Sequence, residues 1–196
     1  MGAKSQERLF TIFKADASVF RDELKLVRQQ DHFKMSLLQF IQWLNDTHWS
    51  TALREGDYAF PIVESFHILA LGFSVGTILL VDLRLLGLSF RRVRASDLIK
   101  QFEPWAMGGF SVMLISGLLL FFAEPLKAYT TVAFRIKILL LVLAGLNVWL
   151  FHRGIYRRVA QWDDAAVAPW QARLTGYSSL ILWLGIIVCG RWTAYF

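Results

Sequence analysis

Cysteine is nearly missing from this 196-residue chain, in which Cys189 stands alone. One thiol closes no intrachain disulfide and builds no cysteine metal cluster. Histidine is also scarce, with four in all, and only His67 lies in the interior of a long apolar run. Glycine-rich phosphate loops, HExxH, GxSxG and CxxC are absent, so a self-contained enzyme is not expected. The opening residues MGAKSQERLFTIFKADASVF scatter charges among their apolar positions and offer no continuous apolar core for a cleavable signal. Membrane insertion is therefore expected to use internal segments. No internal repeat or low-complexity tract interrupts the chain.

What the chain has is apolar length. Hydrophobic residues make up 56% and aromatic residues 15%, and the mean hydropathy is +0.44. These values place it among multi-pass membrane proteins rather than soluble domains. Four stretches are apolar for the roughly 20 residues that a crossing helix needs. They run over about 60–81, 105–122, 132–151 and 177–193. The expected fold is all-α, an integral membrane four-helix bundle preceded by two amphipathic helices. Residues 1–34 form an N-terminal extension and residues 35–196 the membrane domain.

In the extension, Phe10, Phe13, Ala17, Phe20, Leu24 and Val27 recur at steps of three and four among charged residues. This predicts an amphipathic helix with a narrow apolar seam, and residues 10–27 are expected to meet another protein subunit. A second amphipathic segment, SLLQFIQWLNDTHW, opens at Ser36 and is too short and polar to span. It predicts an interfacial helix with His48 on its apolar side and Trp43 and Trp49 at headgroup level.

The net charge of +6 could suggest nucleic acid, but the basic residues gather between spans. Arg84, Arg91, Arg92, Arg94 and Lys100 sit in or beside one connection, and Arg153, Arg157, Arg158 and Arg173 in another. The opposite side holds Arg54, Lys127, Arg135, Lys137 and Arg191. That asymmetry reads as topology, not as a nucleic-acid footprint, and predicts cytoplasmic loops at 83–104 and 152–176.

The first span carries a polar message. Glu64, His67, Ser74 and Asp82 recur at helical spacing and are expected to share one face. Hydrocarbon disfavours such residues, so protein or water must cover them. Asp82 and Arg84, two apart, point to different sides, and Asp82 is expected to pair with a basic residue at the end of the third span. His152 is expected to be a solvated cap there, and Trp162, Asp163 and Asp164 a loop face. Gly72 and Gly76 form a GxxxG read as close backbone packing.

The stretches WLNDTHWSTALRE, PIVESFHILALG, VDLRLLGL, FRIKILLLVLAGLN and GRWTAYF resemble those of a family of small bacterial multi-pass membrane proteins of uncharacterised function. They are also similar to the membrane domains of copper-resistance D-type proteins. The resemblance covers about four-fifths of the chain and implies four membrane helices after an interfacial one, in a bacterial inner membrane. It implies no activity.

The candidate site is therefore argued from residues. With the basic loops inside, Glu64, His67, Arg135, Lys137 and Arg191 fall near the outer membrane face. One reading is an electron-transfer subunit holding b-type haem. His67 would ligate the iron and His48 would supply a second imidazole. Glu64 would orient the site, and Lys137 with Arg135 or Arg191 would meet the propionates. A second reading is a cofactor-free anchor or assembly subunit in which Glu64, His67 and Lys137 form an ion network. A third is a pocket for a quinone-like or anionic small molecule, with His67 exchanging a hydrogen bond or proton. All three leave the chain a non-catalytic membrane subunit, in contact with lipid.

Overall fold

The computed structural model describes residues 35–193 and Tyr195, and every regular element among them is helical. The amphipathic helix expected at 10–27 lies outside the described residues. Residues 35–45 form α1, which carries Phe40 and Trp43 with ring centroids 5.8 Å apart. The single interfacial helix expected from Ser36 to Trp49 is in fact two. Asn45, Asp46 and Thr47 favour turns and caps over helix interiors, and the Thr47 hydroxyl accepts from the Ser50 amide at 3.4 Å to open α2, His48–Glu55.

Four helices are long and apolar enough to cross a membrane. They are α3 (Ala59–Leu85), α4 (Ala95–Ala123), the helix beginning with α6 (Val132–Leu150), and α7 (Trp170–Thr193). A short α5 (Pro125–Thr130) turns the chain between the second and third spans. Beyond α6 the helix loosens into a π turn at Phe151–Ile155 and then a 3₁₀ turn at Tyr156–Gln161.

Three span boundaries differ from the sequence reading. The first helix runs on to Leu85, where Gly87, at φ +70°, stops it. The Gly87 amide donates to Arg84 and the Leu88 amide to Leu83, satisfying carbonyls that the helix end leaves open. The second helix begins ten residues before Trp105 and contains Pro104, although proline removes one backbone donor and crowds the preceding turn. The fourth begins at Trp170, directly after Pro169.

In the bundle, α3 packs along α4 and against α7, and α7 packs along α6. Ala70, Met113, Ala144, Trp183 and Ile186 form a core to which all four spans contribute. Phe110 meets Trp183 edge-on, with centroids 6.5 Å apart. A second core of Leu85, Ile99, Phe151, Ala168 and Ala172 closes the end that carries the basic loops. The outer surface is apolar: Leu69, Val142, Ile181 and Leu184 are all more than 60% exposed. An aqueous monomer rarely tolerates so much exposed hydrocarbon, whereas lipid covers it at little cost.

Small residues pack where the helices cross closely, and the expected GxxxG is not such a place. Gly72 and Gly76 are exposed, with nothing within 4 Å of where their Cβ atoms would stand. Gly109 of α4 is the close contact, since a Cβ there would lie 3.2 Å from the Ser74 amide nitrogen.

Candidate functional site

The polar face of α3 is divided between two neighbours. His67 and Ser74 turn toward α4, where the Ser74 hydroxyl donates to the Ala106 carbonyl at 3.1 Å. Asp82 lies against α7, where a Cβ on Gly176 would stand 3.4 Å from its carbonyl oxygen, and its Oδ2 is buried without a hydrogen-bond partner. The common face expected from spacing thus serves two separate sites, one at each end of the bundle.

At the α5 end, His67 Nδ1 lies 3.0 Å from Ser116 Oγ. The Ser116 hydroxyl also stands 2.7 Å from the Val112 carbonyl and 3.1 Å from the Met113 carbonyl, so its proton is directed there. A carbonyl can only accept, which leaves the serine oxygen to accept from the ring. Nδ1 therefore carries the proton and Nε2 keeps its lone pair. Gly117 makes room for the ring, because a Cβ there would lie 3.1 Å from His67 Cε1.

Lys137 of α6 is half-buried, and its ammonium lies 3.4 Å from where a Gly190 Cβ would stand on α7. The His67 imidazole is within range of its charge. Among the described residues, no carboxylate forms an ion pair with Lys137, and Glu64, also half-buried, forms none either.

The remaining candidates do not converge on His67. His48 is the exposed first residue of α2. Arg135 donates to the Tyr129 carbonyl at 2.9 Å and lies over the Tyr129 ring. Arg191 reaches the Tyr195 hydroxyl at 3.1 Å and covers that ring. Among the described residues no group of three histidine, cysteine or acidic side chains is placed to hold a metal ion. An open cleft of about 390 Å³ at the same end is lined by Thr130, Thr131, Val132, Ala133 and Trp192, without His67 or Lys137.

The opposite end is densely connected. Arg84 is only 1% exposed. Its guanidinium donates to the carbonyls of Val93 at 2.7 Å, Ala165 at 3.0 Å and Asp163 at 3.3 Å, joining the two loops at this end of the bundle. Asp163 is buried rather than part of a loop face. Its carboxylate accepts from the Ser96 amide at 2.7 Å and the Ser96 hydroxyl at 2.6 Å, and Arg94 Nε lies 3.2 Å away. Asp163 thus caps the N-terminus of α4 from a distant loop, where the helix dipole favours a negative charge. Burial alone would raise this carboxyl. The two Ser96 hydrogen bonds and the charges of Arg94 and Arg84 outweigh it and hold the group below the usual carboxylate range.

His152 is also engaged. Its Nδ1 lies 2.9 Å from the Val148 carbonyl and its Nε2 3.2 Å from a Glu103 oxygen, which ties the π turn to α4. Asp82 pairs with no basic residue of the third span. Sequence reasoning missed Arg84 and Asp163 as a linked pair. The available signal was a helix opening at Ala95–Ser96 whose preceding residue, Arg94, cannot accept from the free amides. An acceptor had to come from elsewhere.

The chain belongs to the family of unknown function DUF6644, which matches residues 40–196. No curated protein and no solved structure matches it, so the likeness to copper-resistance D-type domains gains no support.

Proposed function

We propose that this family member is a non-catalytic membrane subunit of an electron-transfer assembly, and that His67 and Lys137 bind a quinone-like molecule between them. The observation that carries the reading is the tautomer set by Ser116, which gives His67 Nε2 a free lone pair within range of the charge of Lys137, a cation without a carboxylate partner among the described residues. A quinol hydroxyl donates to such a nitrogen, and a quinone or anionic oxygen accepts from such an ammonium. An uncompensated cation inside an apolar bundle is costly, and a ligand oxygen offsets that cost. The protein sits in a bacterial inner membrane with loops 83–104 and 152–176 in the cytoplasm, and residues 10–27 dock a partner subunit.

The same lone pair favours a second reading, b-type haem on His67. An axial histidine characteristically donates its other ring N–H, as His67 does to Ser116. Lys137 would then meet a propionate. His48, Arg135 and Arg191 stand elsewhere, which ranks this reading second.

Purification in mild detergent, followed by an absorption spectrum and analysis of extracted quinones, separates the two. The expected result is co-purifying quinone that is lost in His67→Ala and in Lys137→Ala, without a Soret band. A Soret band lost in His67→Ala would replace the quinone with haem, and neither signal from folded protein would leave the cofactor-free anchor. Ser116→Ala frees the tautomer and should weaken ligand binding roughly tenfold, the equivalent of one hydrogen bond. Unchanged affinity in that variant would sink the role given to the tautomer.

A further inference from the structure

We propose that Arg153, seated on the Trp149 ring and followed by Arg157, binds the phosphate of an anionic phospholipid at the basic-loop end of the bundle. Trp149 lies in the last turn of α6 and is 49% exposed, so its ring meets the lipid that covers this surface. From Val132 to Trp149 the helix rises about 26 Å at about 1.5 Å per residue, close to the roughly 30 Å of a hydrocarbon core. Trp149 therefore stands at the edge of that core, the depth tryptophan favours. Trp170, which opens the adjoining α7, is exposed at the same end.

The Arg153 guanidinium carbon is 4.8 Å from the centroid of the Trp149 ring. Arg135 and Arg191 also lie over aromatic rings, but both donate to oxygens of the same tyrosines they cover. Arg153 has neither a hydrogen bond nor a carboxylate partner among the described residues. The ring contact holds the guanidinium at the membrane boundary and leaves its N–H fork open. A phosphate presents paired oxygens that match such a fork.

The charge around Arg153 has the sign that such a ligand needs. Arg157 and Arg158 of the 3₁₀ turn and Arg92 and Lys100 of the other loop region are exposed, and none forms an ion pair among the described residues. The carboxylates at this end are mostly occupied or hidden: Asp82 and Asp163 are buried, Asp164 faces Arg94 at 3.1 Å, and Glu103 faces His152 at 3.2 Å. Among the described residues, Asp97 in the first turn of α4 is the exposed carboxylate there that stands outside an ion pair. A surplus of positive charge thus sits at headgroup depth, where an anionic lipid complements it and a zwitterionic one does not. The site is at the opposite end from His67 and does not depend on what His67 binds.

Native mass spectrometry of the full chain in detergent, titrated with phosphatidylglycerol or with phosphatidylcholine, tests the proposal. The first phosphatidylglycerol should bind more tightly than the first phosphatidylcholine, and Arg153→Gln should weaken it roughly fivefold, the share of one basic residue at a charged headgroup. Arg153→Gln with Arg157→Gln should abolish the preference, and Arg135→Gln should leave it intact. Equal affinity for the two lipids, or a preference that survives the double substitution, would overturn the proposal. Should the double variant fail to fold, wild type alone decides. Raising the electrolyte from about 0.1 M to about 1 M shortens the screening length from ~10 Å to ~3 Å and should erase the preference, whereas a preference indifferent to salt refutes it.

Discussion

The two ends of the bundle handle buried charge in opposite ways. At the basic-loop end, Arg84 reaches three carbonyls, and Asp163 receives two hydrogen bonds and an arginine. At the α5 end, His67 has one bond, to Ser116, and Lys137 has no carboxylate partner among the described residues. At the basic-loop end a multiply connected network holds helices and loops in place, although Arg84 Nη1 and Arg173 Nε stay without partners. The His67 and Lys137 side chains are half-buried and make fewer bonds, which is why the proposed ligand is placed there.

The comparison would break most visibly at Arg84. Arg84→Met leaves three loop carbonyls without their donor and should destabilise the fold by about 3–5 kcal/mol, since each acceptor left unsatisfied costs about 1–3 kcal/mol. Thermal unfolding in detergent measures it, and a loss no larger than that of Lys137→Met would erase the difference between the ends. Asp163→Ala comes next, removing a cap and a charge-assisted contact for about 2–3 kcal/mol.

Asp163 also sets a pH dependence. Its carboxyl is depressed in the folded state, so its stabilisation is complete above the unfolded carboxylate range, near pH 4. It is lost as pH falls from there through the lower folded value. Between pH 5 and pH 3 the wild type should therefore lose more stability than Asp163→Ala, and parallel losses would remove Asp163 as the cause. The smallest effect separates the glycines. Gly109→Ala presses a methyl group against Ser74 and should cost about 1–3 kcal/mol, whereas Gly72→Ala, in open space, should change stability by less than about 0.5 kcal/mol.

Much of the architecture was legible beforehand, because apolar length reports a span directly. The boundaries at Leu85, Ala95 and Trp170 were not, since amphipathic turns continue the helices past the hydrophobic runs. Within the candidate site, His67 and Lys137 were legible as candidates because an ionisable residue in an apolar run stands out at once. Arg135 and Arg191 shared that signal and yet turn to their own tyrosines, at a helix end where a long side chain bends to the nearest acceptor.

The sequence by itself determined that this is an all-helical chain with four membrane-length spans, and that its first span carries buried polar groups. Those properties follow from local periodicity and from the length of each apolar run. Only the tertiary structure decided which neighbour each polar group meets. The α3 face turns His67 and Ser74 to α4 but sets Asp82 against α7, because one helix packs between two others. Asp163 became the cap of α4 through a contact 67 residues away in sequence, a separation that local patterning does not encode.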